Sequence, residues 1–250
     1  MTKFQLKLSA ERHAQKQQKE AGCTASDCEM GLTEAGREHS NRAGMEMVRK
    51  NPGIKKFYLY SSDVERAYET AECKKNGIVA QSEGAVQVEI IRTKDLGFDF
   101  EQMIPGVLKG WGEADKKGGE SAGIRHFLAL RDKQIDISTL SPEMVAAGFA
   151  RVILNCIEVS ERESDVLFDL TSHSGFLESF LLYTIGKSMY SKVVIPTNDF
   201  LDRIGGVLEM GERELSVSED EFDRLIVSIR GVERYVTKED LVELAQKSNL

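Results

Sequence analysis

Leu6-Lys7-Leu8-Ser9-Ala10-Glu11-Arg12-His13-Ala14 is the stretch from which the rest of the chain can be read. Phe4, Leu6 and Leu8 alternate with polar residues, the period of a strand, and an arginine and a histidine stand side by side at its end. In an open α/β sheet, ligands bind at the carboxyl ends of the strands. Arg12 brings a permanent charge and a planar fork of donors suited to phosphate oxygens. His13 can be neutral near pH 7 and can act as a nucleophile. The dipeptide alone more readily describes a solvated arginine beside a packing histidine. Its weight comes from two further junctions downstream in the chain.

The chain has 250 residues, enough for one large α/β domain or two small ones. It is 41% hydrophobic and 30% charged, the balance of a soluble globular protein, and has no apolar run of membrane-spanning length. The first residues lack the apolar stretch of a secretion signal, so a cytoplasmic location is expected. A net charge of −8 argues against a general nucleic-acid binder but not against a small anionic substrate, which needs only local positive charge. Cys23, Cys28, Cys73 and Cys156 form no CxxC pair and read as free thiols.

Strand and helix patterns alternate along the chain. Gln15 to Met30 reads as a polar surface segment. Thr33 is placed to cap a helix running to about Lys50. Phe57–Tyr60 reads as a buried strand, followed by a helix ending near Asn76-Gly77, and Val86–Ile91 as the third strand. Residues 94–141 are rich in glycine and hold the only tryptophan, Trp111, which suggests a lid-like insertion with some short helix. Pro142 to about Arg162 keeps helical spacing, Asp165–Leu170 is the fourth strand, and Phe176–Ile185 the next helix. Lys192–Ile195, Ile204–Met210 and Leu225–Ile229 resemble later strands. Glu219-Asp220-Glu221 with Asp223 reads as a helix start or a solvated face, and a helix capped by Thr237 closes the chain. These patterns predict a single α/β domain, its mostly parallel sheet covered on both faces as an α/β/α sandwich, with a C-terminal extension from about residue 211.

Three strand-to-helix junctions present residues of one chemical kind: Arg12 and His13; Ser61, Ser62, Asp63 and Arg66; Ser172 and His173 ahead of Gly175. In a parallel sheet these junctions share one edge. Two arginines and two histidines around one point, with helix N-termini nearby, make an anion pocket for which phosphate is the natural ligand.

Taken in order, Arg12-His13-Ala14, Gly31-Leu32-Thr33-Glu34-Ala35-Gly36-Arg37, Ser61-Ser62-Asp63-Val64-Glu65-Arg66-Ala67-Tyr68-Glu69-Thr70-Ala71, Gly119-Glu120-Ser121 and Ser172-His173-Ser174-Gly175 resemble the ordered motifs of the histidine phosphatase superfamily, the phosphoglycerate-mutase-like fold. The resemblance spans residues 4 to about 186. It implies in-line transfer of a phosphoryl group to His13 and hydrolysis of the phosphohistidine by water, one hard displacement split into two easier ones. Arg12, Arg66 and His173 would hold the non-bridging oxygens, with no metal or cofactor, and Leu32, Thr33 and Ser174 would lie beside the pocket.

The general acid is harder to place. The family pattern puts a glutamate after the third strand, whereas this chain offers Asp95 first, then Asp99 and Glu101. After Arg-His the mutase continuation is absent; Lys16 and Lys19 stand there instead and could meet a second anionic group. A phosphatase acting on a small phosphorylated molecule is therefore expected. The alternatives are a protein phosphohistidine phosphatase and a non-catalytic phosphate-binding regulatory module. No nucleic-acid or membrane partner is expected, and a homodimer is left open. His39 reads as structural or exposed, and His126 has no evident role.

Overall fold

A computed structural model of the protein describes residues 6–17, 30–97, 105–130, 141–173, 175–187, 195–208, 215–219 and 224–247. Along the chain come β1 (Lys7–Arg12), α1 (Glu34–Lys50), β2 (Lys56–Ser61), α2 (Glu65–Gln81), β3 (Gln87–Arg92), α3 (Pro105–Leu128), α4 (Pro142–Ser160), β4 (Val166–Ser172), α5 (Phe176–Thr184), α6 (Thr197–Arg203), β5 (Leu215–Glu219), β6 (Leu225–Ile229), β7 (Val232–Val236) and α7 (Lys238–Gln246). One seven-stranded sheet runs in the order β3-β2-β4-β1-β5-β6-β7.

Its first half is parallel, as the alternation of strands and helices requires. Leu8 to Arg12 pair in register with Phe168 to Ser172, and Lys56 to Ser61 with Val166 to Thr171. The second half is not: β5, β6 and β7 add antiparallel strands to β1, so the sheet is mixed. A strand that follows its neighbour through a short connection returns antiparallel, and Arg230 and Gly231, both at positive φ, make such a turn between β6 and β7.

The period of two along β2 divides the core. Phe57 and Leu59 pack with Met47, Ala71 and Ile78 on the side of α1 and α2. Tyr58 and Tyr60 belong to the larger cluster with Phe149, Ile153 and Phe180 of α4 and α5. Burying each large apolar side chain there contributes about 1.5–3 kcal/mol. The helices thus cover both faces.

Several expected boundaries shift for identifiable reasons. The helix after Ser61-Ser62-Asp63 does not stop at Gly77 but continues to Gln81. Gly77 is there because α1 lies against it: a Cβ would sit 2.0 Å from the carbonyl oxygen of Asn41. Gly44 answers from α1, where a Cβ would meet the Lys74 carbonyl at 2.1 Å. Within 94–141 the helix is longer than expected, since α3 spans 24 residues in two halves kinked at Gly119 (φ 73°). No strand forms from Ile204 to Leu208, because Gly205 and Gly206 at positive φ turn the chain instead. Glu219 ends strand β5 rather than starting a helix, and Asp220, Glu221 and Asp223 lie outside the described residues, as do Lys192 to Val194. Thr33, Ser141 and Thr237 cap α1, α4 and α7, each accepting a backbone N–H three residues on. No described helix is long and apolar enough to cross a membrane.

Candidate active site

The parallel register decides where the polar junctions meet. His13 N–H donates to the Ser172 carbonyl at 2.9 Å, and Ser62 N–H to the Thr171 carbonyl at 3.2 Å. The ends of β1, β2 and β4 are thereby tied side by side, and Arg66 reaches in from the first turn of α2.

At the centre lies His13, only 3% exposed. Its Nδ1 is 2.8 Å from the Ala14 carbonyl, which can only accept. Nδ1 therefore carries the proton, and Nε2 presents its lone pair, accepting from Arg66 Nε at 2.9 Å. Ala14 N–H donates in turn to Thr70 Oγ1, which itself donates to the Arg66 carbonyl, so the loop after β1 is fastened to α2. The His173 ring lies 5.2 Å from that of His13, centroid to centroid, with its Nε2 hydrogen-bonded to Ser62 Oγ at 2.6 Å. Burial first, then the neighbouring Arg66 and Arg12, lowers the His13 pKa to about 3, against the opposing bond to Ala14. Burial and the adjacent His13 likewise hold His173 well below the usual range. Both rings are neutral at physiological pH.

Arg12 joins this cluster to open space. Nη1 donates to the Leu208 carbonyl at 2.6 Å and Nη2 to Glu120 Oε1 at 2.7 Å, while buried Nε has no hydrogen-bond partner among the described residues. Leu208 is itself held by Glu178, which is fully buried and accepts from Leu208 N–H and Gly175 N–H at 3.1 and 2.9 Å. Burial raises the Glu178 carboxyl, and the charge of Arg12 works in the opposite direction. Beside Arg12 lies a cavity of about 760 Å³ lined by residues that include Glu120, His39, Arg42 and Arg125. His13, Arg66 and His173 are not among the residues that line it.

Under the site is a buried ionic network. Lys74 of α2 is fully buried, 2.6 Å from Glu11 of β1, and bonds Asp169 and Thr171 of β4, with Ser9 donating to Asp169 at 2.7 Å. It ties α2, which carries Arg66, to the two strands that carry His13 and His173.

The structure brings Arg12, His13, Arg66 and His173 together. It does not bring Asp95 to them. The Asp95 carboxylate is bound by Nε and Nη2 of Arg151 on α4, and Arg151 also donates to the Ala245 carbonyl of α7, so the side chain is engaged on the helical flank. Lys16 is half-buried, bridged to Leu32, and close enough for its charge to act on both histidines. Leu32 is fully buried and gives its N–H to Glu69, and the Thr33 hydroxyl is occupied as a helix cap. Lys19, Ser174, Asp99, Glu101, Cys23 and Cys28 lie outside the described residues, while Cys73 and Cys156 are free thiols. Glu120, Glu178, the Leu208 carbonyl and the cavity wall escape a sequence reading. Only Glu120 carried a signal, in the motif Gly119-Glu120-Ser121. Among the described residues no group of three or more His, Cys, Asp or Glu is placed to hold a metal ion.

Residues 10–94 match the sequence model of the histidine phosphatase superfamily (branch 1). No curated protein matches the chain by sequence. Among solved structures, mycobacterial hydrolase 2 is similar at 16% identity and a TM-score of 0.54, over 96% of this chain and 97% of that one. Mycobacterial hydrolase 1 is similar at 17% identity and 0.54, over 91% and 98%. A mycobacterial glucosyl-3-phosphoglycerate phosphatase in complex with VO3 is similar at 16% identity and 0.52, over 94% and 97%. At these identities the likeness is one of fold.

Proposed function

From the match of residues 10–94 to the histidine phosphatase superfamily, we propose that the chain is a metal-independent phosphomonoesterase that hydrolyses a small phosphorylated molecule through a phosphohistidine on His13. The observation that carries this reading is the tautomer of His13. Nδ1 is committed to the Ala14 carbonyl, and the lone pair of Nε2 faces Arg66. A neutral imidazole of fixed orientation beside a guanidinium is an activated nucleophile next to its phosphate clamp.

In the reaction, the phosphoryl group enters between Nε2 and Arg66, and Arg66 exchanges its bond to the imidazole for bonds to phosphoryl oxygens. Nε2 attacks phosphorus in line as the P–O ester bond breaks. Arg12 and Arg66 neutralise charge on the oxygens and neutral His173 stands beside them, without a metal. The leaving group departs on the Arg12 side, into the cavity. Glu120 is the only acidic side chain among the described residues lining that cavity, and it replaces Asp95 as the acid that protonates the leaving oxygen. Water then attacks the phosphohistidine, giving a proton to Glu120, and inorganic phosphate and free His13 are regenerated.

The test compares wild type with His13→Ala on a panel of phosphomonoesters in the presence of a chelator, with labelled enzyme trapped by quenching in alkaline detergent. Turnover and an acid-labile, alkali-stable phosphoenzyme are expected in wild type only. Turnover surviving in His13→Ala would exclude His13 as nucleophile. A cavity of about 760 Å³ favours a small substrate over a phosphorylated protein.

A further inference from the structure

We propose that the cavity beside Arg12 is a subsite for a second, non-reacting anionic group of the substrate, held by Arg42 and His39 of α1 and Arg125 of α3. The inference rests on the phosphomonoesterase reading and adds the substrate class: an elongated phosphomonoester with a carboxylate or phosphate at its far end.

Helical geometry aligns the wall. Ala35, His39 and Arg42 line the cavity at i, i+4 and i+7 of α1, one continuous face, and Ser121 and Arg125 line it at i and i+4 of α3. Two helices remote in sequence thus turn cationic or hydrogen-bonding faces to one space. Among the described residues these charges are not spent elsewhere. Arg42 makes no ion pair with any described residue, and the hydrogen bond from Arg125 to Asn198 Oδ1 is long, at 3.5 Å. Glu120, the one acid lining the same space among the described residues, is engaged by Arg12. In a chain of net charge −8, three arginines around one cavity against a single carboxylate is a local reversal of sign. Such a wall attracts an anion, and a planar guanidinium binds carboxylate and phosphate equally well.

Arg12 engages the reacting phosphoryl group, and Arg42 and Arg125 line the same cavity, so the second anion is carried on a linker that reaches across it. A substrate with only one phosphate leaves this wall unused.

The experiment compares ω-carboxyalkyl phosphates of graded length with alkyl phosphates of the same length and with p-nitrophenyl phosphate, in wild type and in Arg42→Gln/Arg125→Gln. In wild type, kcat/KM for the best carboxyalkyl phosphate should exceed that of its alkyl partner about tenfold to hundredfold, the worth of one or two charge-assisted bonds. The double variant should abolish that ratio through KM while p-nitrophenyl phosphate changes less than about twofold. A ratio near one in wild type, or one untouched by the double variant, overturns the subsite. If no ester at all is turned over, the phosphomonoesterase reading fails instead. The subsite is then decided by calorimetric titration of the same carboxyalkyl and alkyl phosphates: preference for the carboxylate, lost in the variant, upholds it, and equal binding overturns it.

Discussion

Arg66 Nε donates to His13 Nε2 at 2.9 Å while the opposite ring nitrogen faces the Ala14 carbonyl at 2.8 Å. Each bond selects the same tautomer, so the imidazole is oriented from both ends. Arg66→Lys keeps the charge but not the planar fork, and should lower kcat/KM for p-nitrophenyl phosphate about 10²–10³-fold, the usual cost of one lost donor to a developing oxyanion. Steady-state kinetics with vanadate inhibition measures it, and a loss below about threefold would remove Arg66 from the phosphate clamp.

The lowered pKa of His13 links pH to stability. Above about 6.5, the ordinary value, both folded and unfolded chains keep position 13 neutral. Below it the unfolded chain takes up a proton that the folded chain refuses until about pH 3. This contribution is therefore complete above pH 6.5 and is lost as pH falls towards 3, at about 1.4 kcal/mol per pH unit in mid-window. His173 acts in the same sense. Urea midpoints should fall between about pH 6.5 and 4, and less steeply in His13→Asn; equal slopes would contradict the buried neutral ring.

Among the described residues, Lys74 is the cation that lies against both Glu11 and Asp169. Lys74→Met leaves two carboxylates buried against each other, and removing one partner of such a network typically costs about 3–5 kcal/mol. Chemical denaturation should show a loss of that size. A change below about 1 kcal/mol would mean that water or rearrangement satisfies the pair.

Glu120→Gln separates acid catalysis from binding. Alkyl phosphates, whose leaving oxygen must be protonated, should lose about 10²–10⁴ in kcat, while an aryl phosphate with a good leaving group should lose far less. Equal losses on both substrates would assign Glu120 to holding Arg12 rather than to proton transfer.

Much of this molecule can be read without its structure, wherever a property is local. Arg12-His13 ends a strand because Leu6 and Leu8 alternate before it, and Thr33 and Thr237 announce their helices through their own hydroxyls. Parallel alternation of strands and helices is sufficient to send Arg66 and His173 to the same sheet edge as His13, because chain direction alone determines on which edge a strand ends.

What only the tertiary structure decided is partnership between distant side chains. Asp95 stands at a plausible distance along the chain for an acid, but Arg151, 56 residues later, claims its carboxylate. Lys74 looks like any helix lysine until β1 and β4 place Glu11 and Asp169 beneath it. Gly77 has the form of a helix stop and is instead a contact point for α1. The cavity wall of His39, Arg42 and Arg125 exists only because two helices face each other across it. Periodicity states which residues share a face of an element. Packing between elements determines what that face meets, because the free energy of a charge or a cavity depends on neighbours that the local chain does not contain.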